Sequence, residues 1–477
     1  MKIKLFKYFL FITFVLLFLP AFAIPLVFGD FCFTYFFVFL ILFFIYCILF
    51  SFRLLFKQIV QMMCSIPVKF LAVYFVIELL VTIFYIVIGK SSTTALISIF
   101  MRFLLYVMPF TLSFILAKNL KDILLLRFLY TILISVLLFG IFDFIINYFD
   151  IGILKSVMNF FVNRRLIMHN ISELKATANG LPRMQSVFEE PCHLACFINL
   201  FLPMIYKISF SKFKIYKNNF IDKIVKIIVP IIAWIDIIGT QSPIYLIIAI
   251  IISVIYINLN KLKHLKFNSI TFALILFFLT LIFGLYKFII SAENLSGTFL
   301  YRIQITLSAL QNVNNLILAE QSLGRRIIDI VNMVQIFKQN ICFGCGFGNL
   351  AISLAKQIPK SPVVLVPEVV RALNNHKYYL PTPNIFFSTL AETGLVGVFL
   401  LYSFFISVFL SLSKLLKNAI HMNSILVYSL KHFVLLYIIL SFYDSQLYFP
   451  YGIAMLGVSV GYYYRVKERF KHENTNR

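Results

Sequence analysis

Charge is what this sequence has least of. Only 13% of its 477 residues are Asp, Glu, Lys or Arg, against 61% hydrophobic, and the mean hydropathy is +0.96. Soluble chains carry roughly a quarter of charged residues, so a soluble class is excluded and an integral membrane protein is implied. Sustained apolar–polar alternation is lacking too, which removes a transmembrane barrel. The seven cysteines do not make a disulfide framework. Cys32, Cys47 and Cys64 lie in or near apolar runs, where they act as small hydrophobes. The pairs Cys342/Cys345 and Cys192/Cys196 have no second Cys or His pair at a zinc-site spacing, so no metal is expected, while a Cys342–Cys345 disulfide stays open. A basic, aromatic-interleaved soluble domain is missing as well, so the net charge of +24 does not indicate nucleic acid. Short basic loops held against anionic membrane lipids account for it.

What is present is a series of apolar runs. A helix needs roughly 20 residues to cross the hydrocarbon, and spans are expected near 6–28, 31–50, 67–88, 94–116, 123–149, 192–206, 224–238, 243–257, 267–290, 385–412, 425–442 and 448–464. The fold class expected is therefore an all-α integral membrane protein of about twelve transmembrane helices. The short segments 1–7, 53–57, 118–121, 207–226, 261–266, 414–417 and 465–477 are basic and alternate with Lys-poor connections, which puts both termini in the cytoplasm. The start, MKIKLFKYFLFITFVLLFLPAFA, imitates a signal peptide, but its apolar run is longer than a usual signal core and another span follows closely. An uncleaved first helix is the reading adopted.

The organisation expected is five helices over 1–149, a long outer loop over 150–191, four helices over 192–290, a large outer loop over 291–384, and three helices with a basic tail over 385–477. Long loops in a compact membrane domain are functional or unstructured. The second one carries Ile327, Ile330, Val331 and Val334 at helical spacing, so a folded helix is expected over 326–337. Both loops hold arginines, among them Arg164, Arg165, Arg183, Arg302, Arg325, Arg326 and Arg371, where the short inner loops prefer lysine. Arginine clamps phosphate with two parallel bonds, which points to an anionic ligand on the outer side. A solvated loop surface is the plainer alternative.

Three stretches carry the chemistry. RMQSVFEEPCHLACFINLFLP, from Arg183, sets a cation, Glu189, Glu190 and His193 at the edge of a span, where charge is costly unless paired. ICFGCGFGN, from Ile341, spaces Gly344, Gly346 and Gly348 by two without the strand–helix unit of a dinucleotide site. It can form a tight turn with amides exposed to an anion, or a flexible link. PTPNIFFSTLAETGLVGVFLLYSFF, from Pro381, puts Glu392 eight residues past Asn384, about two helical turns. A carboxylate there suits capping, or pairing with a loop arginine to hold the loop, better than acid–base work.

These stretches resemble, in order, the Arg…Phe-x-Glu-Pro segment, the Arg-then-Gly-x-Gly loop and the Asn…Ala-Glu-x-Gly helix of bacterial O-antigen and capsule polymerases, the Wzy-like family of the O-antigen ligase/polymerase superfamily. The resemblance covers roughly 183–405. It implies a GT-C-like glycosyltransferase architecture, with catalysis in outer loops over a helical bundle in the bacterial inner membrane. The activity implied is metal-independent and needs no cofactor. A glycan moves from undecaprenyl diphosphate to a sugar hydroxyl of another lipid-linked repeat unit. Partners implied are that lipid-linked oligosaccharide, membrane lipids, a chain-length regulator and a flippase. Arg183 and Arg326, with Arg325 and Arg302 behind them, become the diphosphate-binding candidates, since fixed guanidinium groups stabilise a departing phosphate. Glu190, Glu189 and His376 become the candidate bases, and Asn384, Glu392, Gly394, Gly344 and Gly346 the positioning set.

Where the ligases of the superfamily carry a His before the Asn, this chain has Pro383 before Asn384. A proline cannot accept a proton, so either His376 upstream has taken that role or the protein is not a ligase, and the departure favours polymerase over ligase. An O-antigen ligase and a flippase or transporter of lipid-linked oligosaccharide remain the alternatives. The absence of a detectable internal repeat counts against transport.

Overall fold

A computed structural model describes residues 12, 15, 23–28, 31–34, 42, 45, 52–89, 94–149, 151–154, 177–178, 181–182, 184, 186, 188, 191–262, 321–346, 348–365, 369–370, 373, 384–417, 423–443 and 450–475. Helices dominate: α1 (Phe52–Met63), α2 (Ile66–Val87), α3 (Thr94–Asn119), α4 (Asp122–Tyr148), α5 (Pro191–Ser209), α6 (Asn219–Gly239), α7 (Pro243–Leu262), α8 (Gln321–Gln339), α9 (Leu350–Gln357), α10 (Ile385–Lys417), α11 (Asn423–Leu440) and α12 (Pro450–Thr475). Ile66–Val87, Asp122–Tyr148, Pro191–Ser209 and Ile385–Leu416 are, among the described residues, the helices long and apolar enough to cross a membrane. The span expected at 267–290 lies outside the described residues.

Four elements differ from expectation. Residues expected to end one span and begin the next form strands β1 (Ala23–Phe28) and β2 (Phe31–Thr34), paired antiparallel with Phe28 opposite Phe31. A Gly-Asp sequence between two runs of aromatic and β-branched residues suits a two-residue hairpin connection. A second short pair joins β3 (Thr177–Ala178) to β4 (Leu181–Pro182). The basic segment 53–57, expected as a loop, is part of helix α1, which is amphipathic: Gln58 and Met62 are buried while Phe56, Val60 and Met63 are exposed. The tail beyond 464 continues α12 as far as Thr475.

The chain divides into two compact units: Met1–Phe50, Leu120–Gln304 and Leu415–Phe433 in the first, Ser51–Asn119, Ile305–Lys414 and Val434–Arg477 in the second. In the first unit α5 is buried along most of its length and packs on α6 and α7, while α6 also meets α4. Polar links tie these apolar helices together: Asn199 Nδ2 donates to Tyr245 O at 3.1 Å, Trp234 Nε1 to Tyr206 OH at 3.0 Å, and Tyr206 OH and Ser253 Oγ stand 2.6 Å apart. Lipid offers helices little hydrophobic incentive to associate, so such bonds and close packing carry the contact.

In the second unit α12 lies along α3. Gly457 and Gly461, four apart, are the points of closest approach, since a Cβ on either would fall 2.4 Å from the carbonyl oxygen of Phe110 or Phe114. This is the small-xxx-small mode of membrane helix packing. The same unit holds a smaller core in which Ile328, Met333 and Ile336 of α8 meet Leu350 and Leu354 of α9, Ile358, Val369 and Ala391 of α10. The large loop is thus folded where described, as expected, but α8 is turned from the expected face. Buried positions are Ile328, Asp329, Asn332, Met333 and Ile336, whereas Ile330, Val331 and Val334 are only half-buried. Asn332 tolerates burial because its Nδ2 donates to Ile328 O at 2.7 Å and to Ser361 Oγ at 3.0 Å.

Candidate functional site

The second unit joins two of the three stretches directly. α10 is interrupted at Gly394, whose φ of 63° and ψ of −160° are not helical. A break in a helix strands backbone carbonyls and amides, which must find other partners when buried. The loop after α8 supplies them. Cys345 N–H donates to Ala391 O at 2.8 Å and Gly346 N–H to Glu392 O at 2.9 Å. In the other direction Leu395 N–H donates to Ile341 O at 2.9 Å and Val396 N–H to Cys342 O at 3.3 Å. The result is a reciprocal four-bond clasp between residues 341–346 and 391–396.

Both sides of the clasp require glycine. A Cβ on Gly344 would lie 2.3 Å from Ala391 O, and one on Gly394 would lie 2.3 Å from Cys342 O. Both residues also have positive φ, which a side chain disfavours. Gly346 has the ring of Tyr85 against it. Tyr85 OH donates to Gly344 O at 3.1 Å and accepts from Asn340 Nδ2, so α2 braces the turn from a third direction. Cys342 and Cys345 are free thiols here.

These bonds correct the anion-nest reading of the Gly-x-Gly loop. The Gly344 amide goes to Asn340 O, those of Cys345 and Gly346 to the broken helix, and that of Gly348 to Glu392 Oε1 at 3.3 Å. The broken helix consumes the donors that an anion would need. Glu392 is buried, and this bond from Gly348 N–H is a contact between α10 and the large loop.

Asn384 links α10 to the turn after α11. Its Oδ1 accepts the Phe387 N–H at 2.9 Å, capping α10, while its Nδ2 donates to Phe442 O at 2.7 Å just past α11. Phe386 N–H reaches Ser441 O at 3.2 Å, and Tyr402 OH and Ser441 Oγ stand 2.6 Å apart. The turn at 441–443 is therefore fixed to the start of α10. Arg326, half-buried on α8, meets that turn: Nη1 donates to Tyr443 O at 3.1 Å, and the guanidinium carbon lies 4.6 Å from the centre of the Tyr443 ring. Arg325, also half-buried, is one residue earlier, about 100° around the helix. Nothing in the sequence singled out Tyr443; 117 positions separate it from Arg326.

In the first unit Arg183, Glu189 and Glu190 lie outside the described residues, as do Arg302 and His376 of the large loop. Their described neighbours are firmly held. Met184 N–H donates to Gly239 O at 2.9 Å, Ser186 Oγ to Val136 O at 2.7 Å and Ser186 N–H to Asp143 Oδ2 at 3.2 Å. Ser186 is fully buried with a φ of 55°, a left-handed backbone uncommon for a residue other than glycine. Asp143 Oδ1 accepts from Asn147 Nδ2 at 3.0 Å, and the Asp236 carboxylate stands close to Gly140 one turn before Asp143. His193 is buried in the first turn of α5, a helix residue rather than a loop one.

No curated protein matches the chain. Residues 228–402 match the family model described as O-antigen ligase, a range that takes in Arg302, Arg325, Arg326, the clasp, Asn384 and Glu392 and leaves out Arg183 and Tyr443. That segment is therefore similar to the O-antigen ligase family over a little more than a third of the chain.

Proposed function

We propose that the protein polymerises surface-polysaccharide repeat units, O-antigen or capsule, on the outer face of the bacterial cytoplasmic membrane. In this reading a sugar hydroxyl of one lipid-linked repeat unit attacks the anomeric carbon of the glycan on another. The bond from that carbon to undecaprenyl diphosphate breaks, and the hydroxyl proton passes to a base. Glu190, Glu189 and His376 are the candidates for that base. Arg183 and Arg326 bind the diphosphate and stabilise the charge that grows on it, with Arg325 and Arg302 as reserves.

The observation that carries the reading is the clasp. It joins the two glycine motifs of the matched segment and ties down the C-terminal end of α8, the helix that carries Arg326, whose guanidinium is held by Tyr443. A held cation meets developing negative charge without reorganising at the moment of reaction. Pro383, before Asn384, supports polymerase over ligase; the description of the matched family favours ligase as the second reading.

The test is the gel profile of surface glycan from a deletion strain and from one carrying Arg326→Ala. Loss of the long ladder, with a single repeat unit still on its final acceptor, supports the polymerase. Polymer accumulating on the carrier lipid with a bare acceptor means ligase. Repeat units trapped on the cytoplasmic face mean transport.

A further inference from the structure

We infer that Tyr443 is a positioning residue that presents the Arg326 guanidinium to an anionic diphosphate, an inference that rests on the phosphate role proposed for Arg326. Both belong to the second unit. Two contacts define the arrangement: the bond from Nη1 to Tyr443 O at 3.1 Å and the approach of the guanidinium to the ring at 4.6 Å. The ring lies 4.6 Å from the guanidinium carbon, and the carbonyl takes one of the five N–H donors. Tyr443 brings no negative charge of its own, so it removes rotamer freedom from a long side chain without itself cancelling the charge.

The holder is itself held. Tyr443 N–H donates to Leu440 O at 2.9 Å, and the preceding residues are tied to α10 through Asn384, Phe386 and Tyr402. Phe442 adds a ring contact with Phe386 at 4.6 Å. Asn384 thus acts on Arg326 at one remove, which gives a polar residue at the mouth of an apolar helix a reason to be there. The clasp anchors the far end of α8, and the turn at 441–443 holds the guanidinium.

The experiment uses the full chain in lipid nanodiscs with undecaprenyl diphosphate as the probe, in wild type, Arg326→Ala, Tyr443→Leu, Tyr443→Phe and the Arg326→Ala/Tyr443→Leu double variant. Tyr443→Leu keeps the backbone carbonyl and loses only the ring face, so binding weakens by about 3- to 30-fold, the range of a cation–π contact. Tyr443→Phe keeps the face and retains binding. In the Arg326→Ala background Tyr443→Leu has no further effect, because its only route is through the arginine. If Arg326→Ala weakens binding while Tyr443→Leu does not, or if Tyr443→Leu acts equally in both backgrounds, the positioning role is overturned and the phosphate site stands. If Arg326→Ala leaves binding unchanged, both fall. Should the Leu variant fail to accumulate, Trp, Tyr and Phe at 443 form a series in which Trp binds best; a flat series overturns the inference.

Discussion

Replacing Gly394 by alanine tests the clasp most directly. The backbone there, at φ 63° and ψ −160°, is essentially a glycine-only region, and a side chain costs about 1–3 kcal/mol on that account. The new methyl group would also stand 2.3 Å from Cys342 O, 2.4 Å from Cys342 C and 2.6 Å from Ile341 O, all backbone atoms that no rotamer change can clear. Relieving contacts of that kind needs a shift of about 1 Å toward ordinary van der Waals separation. That shift breaks the Leu395-to-Ile341 and Val396-to-Cys342 bonds, now 2.9 and 3.3 Å, at about 1–1.5 kcal/mol each. The sum is about 3–6 kcal/mol, against about 5–15 kcal/mol for a whole folded protein.

The control is Gly89→Ala. That glycine also has a positive φ, 72°, but nothing lies within 4 Å of its Cβ position. It should lose only the left-handed backbone term, about 1–2 kcal/mol. Thermal unfolding of both variants in detergent, with limited proteolysis in the 341–346 turn, reads the difference. Gly394→Ala should melt well below Gly89→Ala, expose the turn to protease and abolish the glycan ladder. Equal melting of the two variants, or an intact turn in Gly394→Ala, would refute the clasp as drawn.

Glu392→Gln keeps an oxygen for the Gly348 N–H and should retain most ladder, whereas Glu392→Leu leaves that amide unpaired at about 1–3 kcal/mol and should shorten or abolish it; equal ladders count against the tether. Arg183→Lys should lose most polymer at normal membrane levels, because an ammonium cannot grip a phosphate with two parallel bonds; near-wild-type polymer in the gel argues against the assignment. Asp143→Leu removes the acceptor of the buried Ser186 N–H and should release the segment that carries Arg183, seen as new protease cleavage near 184–188; an unchanged digest would show that Ser186 needs no such anchor. Asp222 tests electrostatics away from the site. Burial alone would raise its carboxyl, but the hydrogen bond from Lys226, at 2.9 Å, and the amides of Tyr216 and Ile215 bring it below its ordinary value. A lowered carboxyl stabilises the fold above the unfolded value and loses that contribution as pH falls. Asp222→Asn should therefore melt lower than wild type at neutral pH, with the gap closing below about pH 4; a gap that persists in acid removes the charge explanation.

Most helices were legible because their signal is local. Nine of the expected spans fall on helices α2 to α7 and α10 to α12, four of them, among the described residues, long and apolar enough to cross a membrane, with ends displaced by a few residues except at α12, which runs eleven residues further, since an apolar run announces itself wherever it sits. The hairpin at 23–34 was not legible: aromatic and β-branched residues suit a buried helix and a strand alike, and pairing decides between them. The packed face of α8 was misread for a related reason. Periodicity favoured its isoleucines and valines, but Asn332 found bonding partners inside, so a polar residue lies buried where Ile330 does not.

By itself, the amino-acid sequence determined the solvent of this protein, the places where its chain runs as apolar helices, and the three motif-bearing stretches, because hydrophobicity and residue identity are properties of short segments. Tertiary structure alone decided what those stretches do to one another. The Gly-x-Gly loop is a lock for a broken helix and not an anion nest, since the amides of Cys345 and Gly346 go to carbonyls 46 positions away, that of Gly348 to the Glu392 carboxylate and that of Gly344 to Asn340 O. Tyr85 braces Gly344 across 259 positions, and Tyr443 holds Arg326 across 117. Contacts of that length follow from how buried backbone groups find partners when the chain closes on itself, and no local pattern encodes them.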